Sequence, residues 1–252
     1  MRLQDHLDSL RRATGLEALQ RAFEGALTSF DFQHYQFVLL NDHPQLHAGN
    51  KGVVLCAYPE AWTRRYEREG FAHLDPMRQA AIEHHTPFTW DALRQNPSLN
   101  CSQQAILDAI KEAGLVAGIG VPLHGPAGAC ATVGLATTRH DIRLDARVLT
   151  QLHMLSLGLY NRFWSLQLRR SEVSDRAALS AREQDILLLL ARGHTKADIS
   201  RIRHISIHTV DHHVRNVLKK LNARNATSAV YHATSRGLIP MMGKNGDELK
   251  TT

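Results

Sequence analysis

Residues 206–221, SIHTVDHHVRNVLKKL, carry three histidines and an aspartate within six positions. His208, Asp211 and His212 stand at i, i+3 and i+4, a spacing that on a helix resembles some zinc sites. The same stretch is basic through Arg215, Lys219 and Lys220. A helical wheel separates the two readings. Val210, Val214, Val217 and Leu221 fall within about 60° of one another and form one apolar stripe. His208, His212, Arg215 and Lys219 share the opposite side, which must face solvent or a partner. Metal binding is disfavoured there, because Arg215 and Lys219 repel a dication and no cysteine lies in the C-terminal quarter. His213 borders the stripe and reads as structural. A short helix docked by an apolar stripe and polar outside is how a helix-turn-helix presents its recognition helix.

The flanking sequence supports this. Ser180 and Glu183 form an S-x-x-E capping box ahead of the apolar run 186–190. Gly193 stops that helix, Thr195 caps a second that runs to Ile202, and Ser206 caps the third. A fourth spans roughly 227–236, with Gly237 as its stop. The module is thus expected at 180–240, after a polar linker at 171–179 and before a flexible tail at 241–252. Residues 176–252 hold 13 Lys+Arg against 6 Asp+Glu, whereas the first 175 hold 17 against 18. A near-neutral body carrying a small basic module is the footprint of a nucleic-acid-binding domain joined to something else. Arg215 can donate twin hydrogen bonds to guanine O6 and N7. Lys219 and Lys220 can neutralise phosphates. His208 and Thr209, in the first turn, can meet base edges or phosphate. Thr195, His212 and Asn216 complete the candidate set. Asp211 is out of place on such a surface. It can accept from a cytosine N4 amine or orient Arg215 one turn on.

The 252-residue chain is 43% apolar, enough for packed cores in one large or two smaller domains. No run approaches the ~20 apolar residues of a membrane span, and the N-terminus lacks a signal-peptide core. A soluble cytoplasmic protein without a membrane partner is expected. Three scattered cysteines, Cys56, Cys101 and Cys130, fit buried thiols better than a disulfide framework. The N-terminal 170 residues read as mixed helix and strand. Helices are predicted at 3–12, 15–29, 60–70 and 102–113, with another opening at Asp75-Pro76. Strands are predicted at 32–41, at GVVLCAYP (52–59, closed by Pro59), and on either side of the 125–128 turn. A long amphipathic helix is predicted over 144–170, with Leu149, Leu152, Leu155, Leu159 and Phe163 as its buried stripe.

At this level a family resemblance adds information. Residues 179–239 resemble the LuxR-type helix-turn-helix throughout, through Arg182-Glu183, Leu187, Gly193-x-Thr195, Ile199, Ile205-Ser206, Thr209-Val210, His213, Lys220-Leu221 and Gly237-Leu238. Asp198 stands where the family usually has Glu, and Asp211 where a basic or polar residue is commoner. Upstream, YPEAWTRRY, DPMRQA, PFTW and GLVAGIGVPLHGPAG resemble the autoinducer-binding domain of quorum-sensing LuxR regulators. The resemblance implies an α+β fold: an N-terminal α/β/α sandwich with an antiparallel sheet, then a four-helix helix-turn-helix domain. It also implies an N-acyl-homoserine lactone held between sheet and helices, and a homodimer on double-stranded DNA. In that reading Trp62 donates to the lactone carbonyl, Tyr66 to the amide carbonyl, and Asp75 accepts from the amide N–H. Trp90 packs on the lactone ring and Tyr58 joins the polar group. Leu40, Leu55, Ile82, Leu115, Ile119, Val121 and Val133 are candidates for an acyl pocket, though core packing explains each equally well. Gly134 departs from the Ser or Thr of many relatives, and Thr132, two residues earlier on the same strand face, is a substitute hydroxyl.

Other classes fit less well. A phospho-acceptor receiver domain should open on a hydrophobic strand followed by paired acids, which is not found. A lactone hydrolase would need an HxHxDH-like run or a GxSxG elbow, and neither occurs. No enzyme activity, metal or cofactor is expected. The alternative kept open by Gly134 is an unpartnered regulator of this type, sensing a different small molecule or acting without one.

Overall fold

A computed structural model describes residues 2–41, 52–125, 128–171, 179–235 and 238–239. The chain divides into two compact units.

The N-terminal unit opens with two helices, α1 (Leu3–Arg12) and α2 (Leu16–Thr28). Strands β1 (His34–Leu39) and β2 (Gly52–Cys56) follow. Next come α3 (Glu60–Arg68), a 3-10 turn at Phe71–His73, α4 (Pro76–Glu83), β3 (Phe88–Thr89), α5 (Trp90–Arg94) and α6 (Cys101–Glu112). Strands β4 (Ala117–His124) and β5 (Cys130–Thr137) precede the long helix α7 (Ala146–Ser171). The five strands form one antiparallel sheet in the order β2-β1-β5-β4-β3.

Alternation along β1 assigns the two faces. Tyr35 and Phe37 point to the layer of α1, α2 and α7: the Phe23 ring meets Tyr35 edge-on at 5.4 Å, and Phe163 meets Phe37 at 5.3 Å. Gln36 points the other way, in register with Gly134, which is in turn opposite Gly120. That second face is roofed by aromatic rings that approach its backbone closely. A Cβ on Gly118 would stand 2.4 Å from the Trp90 ring and 2.6 Å from the Leu135 carbonyl; one on Gly120 would stand 2.3 Å from Phe88. The helices on this side are fixed by their caps. Asn100 and Gln103 form a capping box on α6, Thr89 caps α5, and Asp75 caps α4 with Pro76 in its first turn.

The C-terminal unit is four helices: α8 (Ala181–Ala191), α9 (Lys196–Arg203), α10 (Ile207–Leu221) and α11 (Ala226–Ser235). Ser180, Thr195 and Ser206 cap the first three as read from the sequence. The α10 stripe serves two clusters. Val210 and Val214 pack with Ile186, Leu189 and Ile199, while Val217 and Leu221 pack with Leu179, Leu187, Ala229 and Ala233. The α9–α10 turn is made by His204 in the left-handed region at φ +52°, rather than by a glycine.

The α+β class, the antiparallel sheet and the four C-terminal helices match the expected fold. β3 and α5 were not anticipated, because β3 is only two residues whose strand character comes from pairing with Gly120 and Ile119. On α7, Leu152, Leu155, Leu159 and Phe163 are buried, but Leu149 is only partly so, and Ser156, Tyr160 and Trp164 join the inner face. Ile82 is 58% exposed on the outer side of α4, so it lines no acyl pocket. The proposed linker (apart from its ends), the 241–252 tail, Gly237 and the Pro126–Ala127 tip of the turn lie outside the described residues.

Replacing Gly118 by Ala forces Cβ against both a ring and a carbonyl. Thermal melts of the full chain should show a loss of about 1–3 kcal/mol, the range for overpacking a filled core.

Candidate functional site

Between the sheet and α3–α4 lies a cleft in two parts. An outer part of about 650 Å³ is lined by residues including Gln36, Cys56, Tyr58, Trp62, Tyr66 and Arg78. An inner part of about 40 Å³ shares Gln36, Tyr58, Trp62, Tyr66 and Arg78, and adds Asp75, Met77, Thr132 and Gly134 among others. Trp62 and Tyr66 are one turn apart on α3 and meet edge to face at 5.8 Å; Phe71 closes the group, 5.9 Å from Tyr66.

The chemistry centres on Asp75, a carboxylate only 8% exposed. It accepts from the Tyr66 hydroxyl at 2.6 Å and from the Met77 backbone N–H at 2.8 Å. Arg78 stands 3.9 Å away and lies over the Tyr66 ring at 5.6 Å. Burial raises the Asp75 carboxyl above its ordinary range, and the Tyr66, Met77 and Arg78 contacts only partly offset it. Burial likewise pushes the Tyr58 and Tyr66 phenols well up, with the Asp75 charge adding to both, so both stay protonated donors at neutral pH. Tyr58 covers Gly134: its hydroxyl lies 3.0 Å from where a Cβ at that position would stand. Thr132 also borders the inner part, and its hydroxyl donates to the Val121 carbonyl at 3.3 Å.

Five of the six expected ligand residues, Tyr58, Trp62, Tyr66, Asp75 and Thr132, therefore border the inner part together. Trp90 lines neither part. It is packed behind the cleft on Gly118, and its buried indole N–H meets no acceptor among the described residues. Gln36 and Arg78 line both parts and were missed from sequence. The available signal for Gln36 was its alternation with Tyr35 and Phe37, which puts one polar side chain on the opposite face.

In the second unit, His208, His212, Arg215 and Lys219 are exposed, while Val210, Val214, Val217 and Leu221 are buried, as the wheel requires. Thr209 accompanies the cap, its hydroxyl 2.8 Å from that of Ser206. Asn216 and His212 side chains lie 3.1 Å apart. Thr195, capping α9, also bonds Asp198 through its hydroxyl. Two charged residues are placed differently from expectation. Lys220 reaches back to α8 and pairs with the buried Glu183 at 2.7 Å. That carboxylate also accepts from the Ser180 N–H at 2.7 Å; burial pushes it up, but these bonds outweigh burial and hold it below its ordinary range. Asp211 pairs across the turn with Lys196, at 2.5 Å, and Arg215 Nε donates to the Asp211 backbone carbonyl rather than to its carboxylate. No group of His, Cys, Asp and Glu suited to a metal occurs among the described residues.

A half-enclosed cleft of mixed polar and aromatic lining on an α/β/α sandwich defines a ligand-sensing domain, and the C-terminal unit defines a helix-turn-helix DNA-binding domain. The chain belongs to the LuxR family of bacterial regulatory proteins: its autoinducer-binding domain matches residues 15–163 and its LuxR-type DNA-binding domain residues 177–233. It is thus an autoinducer-binding transcriptional regulator and not an enzyme. The quorum sensing-dependent regulator RpaR of Rhodopseudomonas palustris is 31% identical over 240 residues, covering 94% of this chain and 95% of that one. An HTH-type relative, y4qH of Sinorhizobium fredii, is 31% identical over 205 residues, covering 81% of this chain and 62% of its own length. Escherichia coli SdiA superposes with a TM-score of 0.74 at 25% identity, over 95% of this chain and 98% of that one. SdiA has also been solved in complex with octanoyl-rac-glycerol, with the same TM-score and identity, over 96% of each chain.

The two neighbouring lysines should separate in a simple assay. Lys220→Ala leaves Glu183 buried without its cation and should lower stability by about 1–3 kcal/mol. Lys219→Ala should leave the melting curve within about 0.5 kcal/mol of the parent and weaken binding to DNA of any sequence.

Proposed function

We propose that residues 1–170 bind an N-acyl-homoserine lactone and that residues 180–240, as part of a homodimer, bind a dyad-symmetric promoter element. The observation that carries the ligand reading is the buried Asp75–Tyr66 pair beside Trp62 in the inner cleft. An ionised carboxylate accepts from an amide N–H, and two phenols and an indole offer donors to carbonyls. That is the complement of an acylated amino-lactone. Trp90 acts from behind, by holding the sheet side of the cleft in place. Tyr58 supplies a hydroxyl over Gly134, with Thr132 beside it. For the DNA reading, Arg215 is the guanine reader, and Thr195, His208, Thr209, His212, Asn216 and Lys219 lie on or beside the same face. The dimer reading is supported by α7, where Met154 and Leu157 are 46% and 41% exposed one turn apart. A two-fold dimer presents two reading helices to two half-sites.

A second reading is favoured by Gln36. Its carboxamide borders both parts of the cleft on a pleat facing the two glycines of β4 and β5. A ligand with further hydroxyls, such as a monoacylglycerol, would use that donor and acceptor. SdiA, in the complex named above, holds such a molecule.

The test is expression of the full chain with a panel of acyl-homoserine lactones and, separately, monoacylglycerols. Bound molecules are extracted for mass spectrometry, and melting temperature is followed against each compound. Retention and stabilisation by a lactone support the first reading; retention of glycerides alone selects the second. Asp75→Ala should weaken the retained ligand by roughly 1–3 kcal/mol, or about 5- to 150-fold, the cost of a lost charge-assisted partner. Arg215→Ala should abolish sequence preference on DNA and leave ligand affinity unchanged.

A further inference from the structure

Asp211 places a carboxylate on the flank of a face that meets a polyanion. Its surroundings give it a role. Lys196 Nζ lies 2.5 Å from its Oδ1, and this contact, with the nearby Arg215 and His208, holds the carboxyl below its ordinary range. Lys196 is the first residue of α9, directly after the Thr195 cap. A cation there opposes the helix dipole, so helix stability does not explain it. Nor does the ion pair serve chiefly as a clamp between α9 and α10. Its side chains are 51% and 36% exposed, and pairs so open to solvent add little to stability. The tie between the two helices is already made by Ile199, Val210 and Val214 in a shared cluster.

The pair matters for what Lys196 can do to DNA. Non-specific affinity grows with each phosphate that a lysine or arginine neutralises, because each releases condensed counterions. A lysine held by its own carboxylate releases none. We propose that Asp211 is a specificity-determining residue: it neutralises Lys196 beside the reading helix and so removes one phosphate contact per protomer from binding to DNA of arbitrary sequence. The ion pair falls on Lys196 and not on Arg215, whose Nε donates to the Asp211 backbone carbonyl, so the base-reading guanidinium is not tied up by the carboxylate. The ratio of specific to non-specific affinity therefore rises, although total affinity falls. An acidic residue thereby sharpens recognition without touching a base.

The experiment needs no knowledge of the operator or the ligand. Full-length protein and its Asp211→Asn, Lys196→Ala and doubly substituted variants are titrated onto a random-sequence duplex across a range of salt, with fluorescence anisotropy as the readout. Asp211→Asn should tighten binding about 3- to 10-fold near 0.1 M salt and steepen the log–log salt slope by about 0.9 per protomer. In the Lys196→Ala background the same Asp211→Asn change should leave the slope unaltered, because no lysine is then released. A misfolded variant would bind more weakly, so the expected gain cannot come from lost structure; circular dichroism melts check each variant. The proposal is overturned if Asp211→Asn leaves affinity and slope at parental values. It is equally overturned if the steepening persists without Lys196, which would make Asp211 a bulk charge and not Lys196's partner.

Discussion

A carboxylate taken out of water must be surrounded by donors, and Asp75 imposes that requirement on the N-terminal domain. Its two oxygens divide the work: one accepts from the Met77 N–H and starts α4, the other accepts from Tyr66 and ties α4 to α3. Because Tyr66 is fixed, Trp62 one turn earlier and Phe71 beyond the helix end are fixed with it. Arg78, one turn into α4, then covers the Tyr66 ring. The wall of the cleft is therefore organised around one charge. The opposite wall is organised by the sheet, where glycines let Trp90 and Phe88 approach closer than a Cβ would permit and leave room for the Tyr58 hydroxyl over Gly134.

The DNA-binding domain meets the same requirement with Glu183, and the contrast explains their different electrostatics. Both carboxylates sit at helix N-termini, where free N–H groups and the dipole favour negative charge. Asp75 has mainly neutral donors, so burial prevails and its carboxyl is raised. Glu183 has the Lys220 ammonium as well, and its carboxyl is lowered. A raised carboxyl is the less satisfied of the two. It has most to gain from a further donor, as expected of a group at a ligand site, whereas Glu183 is closed off and structural.

Much of this was legible along the chain. The α10 stripe, the Ser180, Thr195 and Ser206 caps and the Asp75-Pro76 helix start are local patterns, and local patterns survive folding. The family resemblance supplied what local pattern lacks, namely that Tyr58, Trp62, Tyr66, Asp75 and Thr132 converge. What stayed hidden depends on distant partners. The side of β1 that Gln36 takes could be read from its alternation with Tyr35 and Phe37, but that this side carries the cleft depends on Trp62, Tyr66 and Arg78 from the distant α3 and α4. Ile82 looked like pocket lining by composition, but α4 turns it outward because Pro76, Ala80 and Ala81 occupy the inner side. The partners of Lys220 and Asp211 lie 37 and 15 residues away, and no helical spacing points to them.

Those long-range pairs also change how the basic charge of the C-terminal domain is to be read. Every acidic residue in the described part of that domain holds a cation: Glu183 has Lys220, Asp185 has Arg182 and Arg203, Asp198 has Arg201, and Asp211 has Lys196. Among the described residues of that domain, the lysines and arginines that form no ion pair are Arg192, Arg215, Lys219 and Arg224. Two of these, Arg215 and Lys219, stand one turn apart on the exposed side of α10. The net charge counted from the sequence would spread a diffuse attraction over the whole domain. Pairing concentrates it on the helix with the base-reading chemistry, so the field that draws DNA in and the side chains that distinguish one sequence from another share a surface.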